Sequence, residues 1–163
     1  MNRLAVHLLT AVALGFTSSH QAEAQSPGSL SHYSYTLHGM TALPVEYYEL
    51  TRQTDGLYVL RVEPPGYYRL ENAQGLPASV LVPRSVADSA AAVFAAYRLC
   101  DLAPSYAPPA NRQVSDGYHW RLEATYEGCR VSSHGDNVFP AEEAFRTIHH
   151  WLDECYHRVA RAQ

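Results

Sequence analysis

Apolar and polar residues alternate along much of the first half of the chain, which is the pattern of strands buried on one face. Five segments share this pattern: residues 32–38, 45–51, 57–62, 67–71 and 76–82. The Asp55-Gly56 pair predicts a tight hairpin turn between the second segment and the third. Because Pro77 cannot donate to a sheet ladder, we expect the fifth segment at an edge. The first half is therefore predicted to be an antiparallel meander.

The second half combines two predicted helices with one more hairpin. From Ser85 onward, apolar residues recur three and four positions apart, as on the buried stripe of an amphipathic helix. Residues 118–126 alternate again, and Glu127-Gly128 turns the chain back into a strand at residues 129–133. Pro140 then begins the last helix. This order predicts an α+β fold, in which two α-helices pack on one face of an antiparallel sheet made of the meander and the later hairpin.

The start of the chain has the pattern of a cleavable export signal. Arg3 precedes an apolar run of 13 residues at positions 4–16, and Ala22 and Ala24 form an A-x-A cleavage site. A membrane-spanning helix needs roughly 17 to 25 apolar residues, so this run is too short to span. We expect three parts: a signal peptide in residues 1–24, a short flexible lead-in in residues 25–31, and a single domain in residues 32–163. The mature protein is expected in the periplasm or outside the cell, without a membrane span.

The composition narrows the classes of partner and of chemistry. The chain has 12 basic and 16 acidic residues, a formal net charge of −4, which does not favour nucleic acid or an anionic membrane as a partner. Every basic residue is Arg, so mechanisms that use a lysine as base or Schiff base have no candidate residue. Phosphate-loop and dinucleotide motifs are absent from the sequence, and no cofactor is predicted.

Three cysteines follow the predicted signal peptide: Cys100, Cys129 and Cys155. In an oxidising compartment, an odd number indicates one disulfide and one remaining thiol. We expect Cys100 to pair with Cys155, since both lie in predicted helices. The alternative is that Cys129, in the predicted hairpin, pairs with one of them.

Three potential metal ligands lie four residues apart on the last predicted helix: His149, Asp153 and His157. At about 100° per residue they share one face of the helix. Two imidazoles and a carboxylate are a suitable ligand set for Zn²⁺ or Cu²⁺. The alternative is a solvent-exposed face on which Asp153 pairs with a neighbouring histidine.

A second candidate site lies in the loop predicted between the last strand and the last helix. Ser133, His134 and Asp136 supply the residue types of a hydrolytic triad. Residues this close in sequence seldom converge as nucleophile, base and orienting group, and no G-x-S-x-G motif accompanies them. The alternative is a structural turn, in which Gly135 and Asn137 take positive φ angles.

Tyrosines are frequent, with 12 in the chain. Tyr47-Tyr48 and Tyr67-Tyr68 lie on predicted strands, so each pair puts one ring on either face of the sheet. Together with Trp120, these rings can form an aromatic surface for a protein or glycan partner. The alternative is that they stabilise the sheet as cross-strand pairs.

These features favour a small exported binding module over an enzyme, for example an inhibitor or immunity-type protein that covers a partner enzyme. The expected partner is a protein or a glycan outside the cytoplasm. Two alternatives stay open. One is a hydrolase that uses His134 with Asp136 or Ser133, and the other is a metal-binding protein that uses the helix face of His149, Asp153 and His157.

Overall fold

The computed structural model describes residues 29–40, 44–63, 76–112 and 117–163. Its regular elements follow one another in this order: β1 (Leu30–His38), β2 (Pro44–Arg52), β3 (Tyr58–Glu63), β4 (Val80–Val82), α1 (Arg84–Ala96), β5 (Ser105–Tyr106), β6 (His119–Tyr126), β7 (Cys129–Asp136) and α2 (Glu142–Ala160). Two short 3₁₀ turns, Leu99–Asp101 and Ala110–Arg112, flank β5. The predicted signal peptide and the strand predicted at residues 67–71 lie outside the described residues.

The seven strands of the described residues form one sheet in the order β4-β3-β2-β1-β6-β7-β5. Neighbouring strands are antiparallel except β5 and β7, which are parallel. The fold is therefore α+β with a mostly antiparallel sheet, as predicted. β4 lies at an edge, as expected for the segment with Pro77, although only Val80–Val82 forms a strand. The parallel edge was not predicted, because β5 lies in a proline-rich segment without alternation.

Two tight turns connect the hairpins as the sequence indicated. At the first, Gly56 has a φ of 83° and the Asp55 carboxylate accepts a hydrogen bond of 3.1 Å from the Leu57 N–H. At the second, Glu127 and Gly128 both have positive φ angles, of 37° and 79°. Two consecutive positive φ angles are typical of the type I′ turn, whose twist matches that of the flanking strands. These two turns set the register of the β2–β3 and β6–β7 pairs.

Alternate strand residues form the core, and the helices contact them. On β6 the buried side chains are Trp120, Leu122 and Ala124. Phe145 of α2 lies against the Trp120 ring, with 5.3 Å between ring centroids, and Phe94 of α1 lies 5.4 Å from the Tyr126 ring. The Trp151 N–H of α2 also donates to the Val86 carbonyl of α1, at 3.3 Å. Neither described helix is long and apolar enough to cross a membrane.

The disulfide joins Cys100 to Cys129, so the expected pairing of Cys100 with Cys155 is wrong. Cys100 lies beyond the end of α1, because Arg98 takes a left-handed φ of 53° and turns the chain toward the sheet. The following 3₁₀ turn packs against β7, where Cys129 is the first residue. The two Cα atoms are 6.1 Å apart. Cys155 is a buried free thiol on α2.

β7 extends to Asp136, three residues further than the predicted strand. It pairs with β6 as far as His119 opposite Asp136, and with β5 along its other edge. Backbone pairing on both sides keeps residues 133–136 extended. The segment that was predicted as a loop carrying Ser133, His134 and Asp136 is therefore part of the sheet.

Position 135 requires glycine because the Trp120 ring lies too close to leave room for a side chain, and not because of the positive φ that was expected. It lies opposite Trp120, and a Cβ atom at this position would overlap the indole nitrogen and lie 2.8 Å from the Val138 carbonyl oxygen. That indole donates a hydrogen bond of 2.7 Å to the same carbonyl. Asn137 does have a positive φ, of 55°, as predicted.

We expect Gly135→Ala to lower the free energy of unfolding by about 1–3 kcal/mol, because the added methyl group overpacks this contact. Urea unfolding followed by circular dichroism measures the change. Ser132→Ala on the same strand is the matched control, since Ser132 is exposed and its truncation should change stability by no more than about 0.5 kcal/mol. Equal stability of the two variants would contradict the packing described here.

Candidate functional site

A hollow of about 330 Å³ opens between the sheet and the N-terminal half of α2. Four aromatic side chains line it: Tyr35, Tyr118, Phe139 and Phe145. The other lining residues are Leu37, Glu46, Glu142, Arg146 and His149. We call this space the His149 hollow, after the buried histidine at its inner end.

The pairing of β1 with β2 brings the residues of the hollow together. Leu37 lies directly opposite Glu46, and Tyr35 lies opposite Tyr48. Because side chains alternate along a strand, Glu46 shares the inward side of β2 with Tyr48 and with the fully buried Leu50. A carboxylate therefore lies in a row of core positions, at the point where the core opens into the hollow.

His149 lies at the centre of an aromatic cluster and is only 6% exposed. Its ring stacks on Tyr48, with 4.2 Å between centroids and 9° between planes, and it lies 4.3 Å from the Tyr35 ring. Its Nε2 atom is 2.8 Å from the Tyr33 hydroxyl. Buried polar groups need such partners, because an unsatisfied one costs about 1–3 kcal/mol.

The partners of His149 indicate which ring nitrogen carries the proton. Nδ1 lies 3.5 Å from the Glu46 carboxylate, which can only accept hydrogen bonds. We therefore place the proton on Nδ1, so that Nε2 accepts a hydrogen bond from the Tyr33 hydroxyl. A polar chain thus leads from Tyr33 in the core, through His149, to Glu46 in the hollow.

Burial keeps these groups neutral. It lowers the pKa of His149 below the usual value of 6.5, although Glu46 opposes the shift. Burial also raises the pKa values of Tyr35 and Tyr48 above the usual value of 10.0, and the negative charge of Glu46 adds to both shifts. At neutral pH the imidazole and the phenols are uncharged, so the charges of the hollow come from Glu46, Glu142 and Arg146.

The structure separates the predicted metal ligands. His149 is buried and its Nε2 is bonded to Tyr33, whereas Asp153 lies 3.5 Å from His157, the ion-pair alternative for this face. Residues 29–40, 44–63, 76–112 and 117–163 contain no group of three or more His, Cys, Asp or Glu side chains placed to hold a metal ion. The face that was expected to be solvent-exposed is buried at His149, because Tyr33 and Tyr48 cover it.

The structure also does not bring the triad candidates together. Ser133 is buried and its hydroxyl donates to the Ala103 carbonyl at 2.6 Å, whereas the neighbouring His134 is exposed on the other side of β7. Asp136 contacts a different histidine, His119, with 2.5 Å between its Oδ1 atom and Nδ1 of the ring. The register counted from the Glu127-Gly128 turn places His119 opposite Asp136, and this signal is readable in the sequence.

The candidate aromatic residues have different surroundings. Tyr47 and Tyr48 lie on opposite sides of β2, as alternation predicts: the Tyr47 hydroxyl donates to Glu49 at 2.9 Å, and Tyr48 packs on His149. Trp120 is only 1% exposed, so it belongs to the core and not to the expected surface. Tyr67 and Tyr68 lie outside the described residues.

Sequence reasoning missed Glu46 and gave His149 a different role. The sequence did contain a signal for Glu46. It lies two and four residues before Tyr48 and Leu50 on one strand, so the three side chains share one face of the sheet. No model of a known protein family matches this chain, and no curated protein matches it either. What the hollow binds is therefore inferred from its own residues.

We expect neutral His149 to make stability depend on pH. The unfolded chain takes up a proton near pH 6.5, whereas folded His149 resists it, so this contribution is complete above about pH 6.5 and decreases as the pH falls. His149→Gln removes the titrating group, and the loss of stability between about pH 7 and about pH 5 should become smaller. Urea unfolding at a series of pH values measures this slope.

His150→Gln is the control for this measurement. The His150 side chain is 75% exposed and lies 3.4 Å from Glu154. Its removal should leave the pH dependence close to that of the unaltered protein, since exposed ion pairs contribute little. A slope unchanged in His149→Gln would contradict a buried neutral His149.

Proposed function

We propose that this protein is a small exported binding module and that the His149 hollow is its ligand site. The observation that carries the proposal is the hollow itself, a concave space of about 330 Å³ lined by aromatic side chains and by three charged ones. Sites for small ligands are typically concave, largely apolar and about 300–1,000 Å³ in volume. The hollow is at the lower end of this range, which suits a compact head group or one side chain of a partner.

The chemistry of the lining supports binding rather than catalysis. None of the described lining residues is Ser, Thr, Cys or Lys, the residue types that most often act as nucleophiles. Both ring nitrogens of His149 already face a partner, Tyr33 on one side and Glu46 on the other. A general base needs a free nitrogen within reach of the substrate proton. Because β7 also directs the buried Ser133 away from the exposed His134, we favour the binding module over the hydrolase.

We also infer that both helices pack on the same face of the sheet. Phe145 of α2 contacts Trp120, and Phe94 of α1 contacts Tyr126. Positions 120 and 126 on β6 differ by an even number, so their side chains lie on one side of the strand. With α1 and α2 on that side, the hollow opens beside α2, and neither of the two described α-helices covers the opposite face of the sheet.

A protein partner that inserts one side chain into the hollow would suit an inhibitor or immunity-type role. Such a side chain would act as the anchor of the interface, surrounded by contacts that exclude water. Tyr118 lines the hollow and is 50% exposed, so its ring is accessible to such a partner. Exposed aromatic side chains of this kind are typical of interaction surfaces.

Filling the hollow should abolish ligand binding. We expect compounds that raise the melting temperature of the unaltered protein in a thermal-shift screen to lose that effect in Leu37→Trp, because the indole occupies the hollow. Leu81→Trp is the matched control, since Leu81 is 54% exposed on edge strand β4, and it should keep the effect. Hits that stabilise both variants equally, or a screen without hits, would contradict the proposed site.

The export part of the proposal predicts a defined mature end. Expression of the full chain in a bacterial host should place a protein that begins at Gln25 in the periplasm or the medium, because signal peptidase cuts after the A-x-A site. Mass spectrometry of the purified protein identifies the first residue. Ala24→Tyr should block this cleavage, since the site requires small side chains. Recovery of a chain beginning at Met1 from the cytoplasm would contradict export.

A further inference from the structure

We propose that the His149 hollow binds the head group of an organic cation, an alkylated guanidinium or ammonium group, and that Glu46 is its counter-ion. This inference rests on the proposed function and adds the chemical class of the ligand.

The position of Glu46 is the first argument. Glu side chains are mostly exposed in proteins, whereas Glu46 is partly buried, with 36% of its side chain exposed. Glu46 shares the inward side of β2 with Tyr48 and Leu50, and within the described part of the chain its polar contact is with His149, whose Nδ1 lies 3.5 Å from one carboxylate oxygen. Neutral His149 does not balance its charge. A carboxylate has about four lone-pair sites, so Glu46 retains acceptor capacity toward the hollow, where 36% of its side chain is exposed.

The charge balance of the hollow is the second argument. Among the described lining residues, two carboxylates, Glu46 and Glu142, face one guanidinium, Arg146. Glu142 and Arg146 lie four residues apart on α2 and are both exposed, a spacing at which opposite charges are neighbours on a helix surface. Glu46 is the less exposed of the two carboxylates, and the described lining carries one net negative charge. A negative site of this kind attracts a cation.

The aromatic walls are the third argument. The Tyr35 and Phe145 rings lie 5.1 Å apart and are tilted by 45°, and Phe139 and Tyr118 extend the wall outward. A cation within about 6 Å of such ring faces is attracted by their quadrupole, and the attraction strengthens when water is excluded. Guanidinium also pairs with a carboxylate through two parallel hydrogen bonds. The combination of rings and carboxylate suits an organic cation better than an anion or a neutral group.

The hydrogen-bonded chain from Tyr33 through His149 orients the Glu46 carboxylate, which is the acceptor for the ligand. Tyr33 fixes one side of the imidazole, and the imidazole N–H faces one oxygen of Glu46. Each carboxylate oxygen has two lone pairs, so both oxygens of Glu46 retain capacity to accept hydrogen bonds from the ligand. His149 is therefore a positioning residue for Glu46, and it does not contribute charge to the site.

A matched pair of probes tests the proposal: n-butylguanidinium and its neutral isostere n-butylurea, titrated into the full chain after processing, in low-salt buffer. We expect the dissociation constant of n-butylguanidinium to be at least tenfold smaller than that of n-butylurea. Glu46→Gln, which removes the charge and keeps the shape, should weaken guanidinium binding at least tenfold. Glu49→Gln, three residues along and on the other side of β2, should change it less than twofold. Isothermal titration calorimetry measures these constants, and NMR shift changes at Tyr35 and Phe145 locate the bound cation even if a variant is unstable.

Equal binding of the two probes, unchanged binding to Glu46→Gln, or NMR shifts confined to residues outside the hollow would each overturn the proposal. Its failure is distinguishable from failure of the proposed function. Neutral or anionic compounds that bind the unaltered protein and not Leu37→Trp would keep the hollow as a ligand site and reject the cation. Absence of binding by every class of compound would reject both.

Discussion

The hydrogen bond between Tyr33 and His149 is the contact on which the arrangement of this site depends. It joins the central strand of the sheet to the long second helix, at 2.8 Å and inside the core. Breaking it would leave a buried polar atom without a partner, so the helix is held with His149 facing the sheet. This orientation brings Phe145, one turn earlier on α2, against Tyr35 and Trp120. The hollow lies beyond these rings, toward the start of the helix.

A second close contact supports the same wall. Trp120 fits against β7 because Gly135 has no side chain, and its indole N–H is satisfied by the Val138 carbonyl. The ring of Trp120 in turn contacts Phe145 and lies 6.5 Å from the Phe139 ring, so two of the hollow's aromatic residues rest on it. Packing in the core and the shape of the site are therefore coupled, because the same rings serve both. The polar end of the hollow, Glu46, departs from this apolar pattern, and for that reason it is the best indicator of what the hollow binds.

The candidate site could be predicted only in part. His149 was selected from its helical spacing with Asp153 and His157, but the spacing shows only that residues share a helix face, and it carries no information on what covers that face. Tyr33, 116 residues away in sequence, covers it. The triad candidates were limited for a similar reason, because the segment that was predicted as a loop is a strand, and alternation along it points Ser133 and His134 to opposite sides. The inward position of Glu46 could have been predicted from the sequence, because side chains alternate along β2 and Glu46 falls on the same face as Tyr48 and Leu50.

Local patterns in the sequence determined the two helices, most strand positions, the α+β class, and the hairpin turns at Asp55-Gly56 and Glu127-Gly128. Each of these follows from φ preferences and from periodicity within a few residues. Tertiary structure decided the rest. The partner of Cys100 depended on the turn at Arg98, which brings the chain to β7. The parallel pairing of β5 with β7 depended on the path of a segment without periodicity. The environment of His149 depended on which strand lies under the helix. These are contacts between residues far apart in sequence, and no short-range preference encodes them.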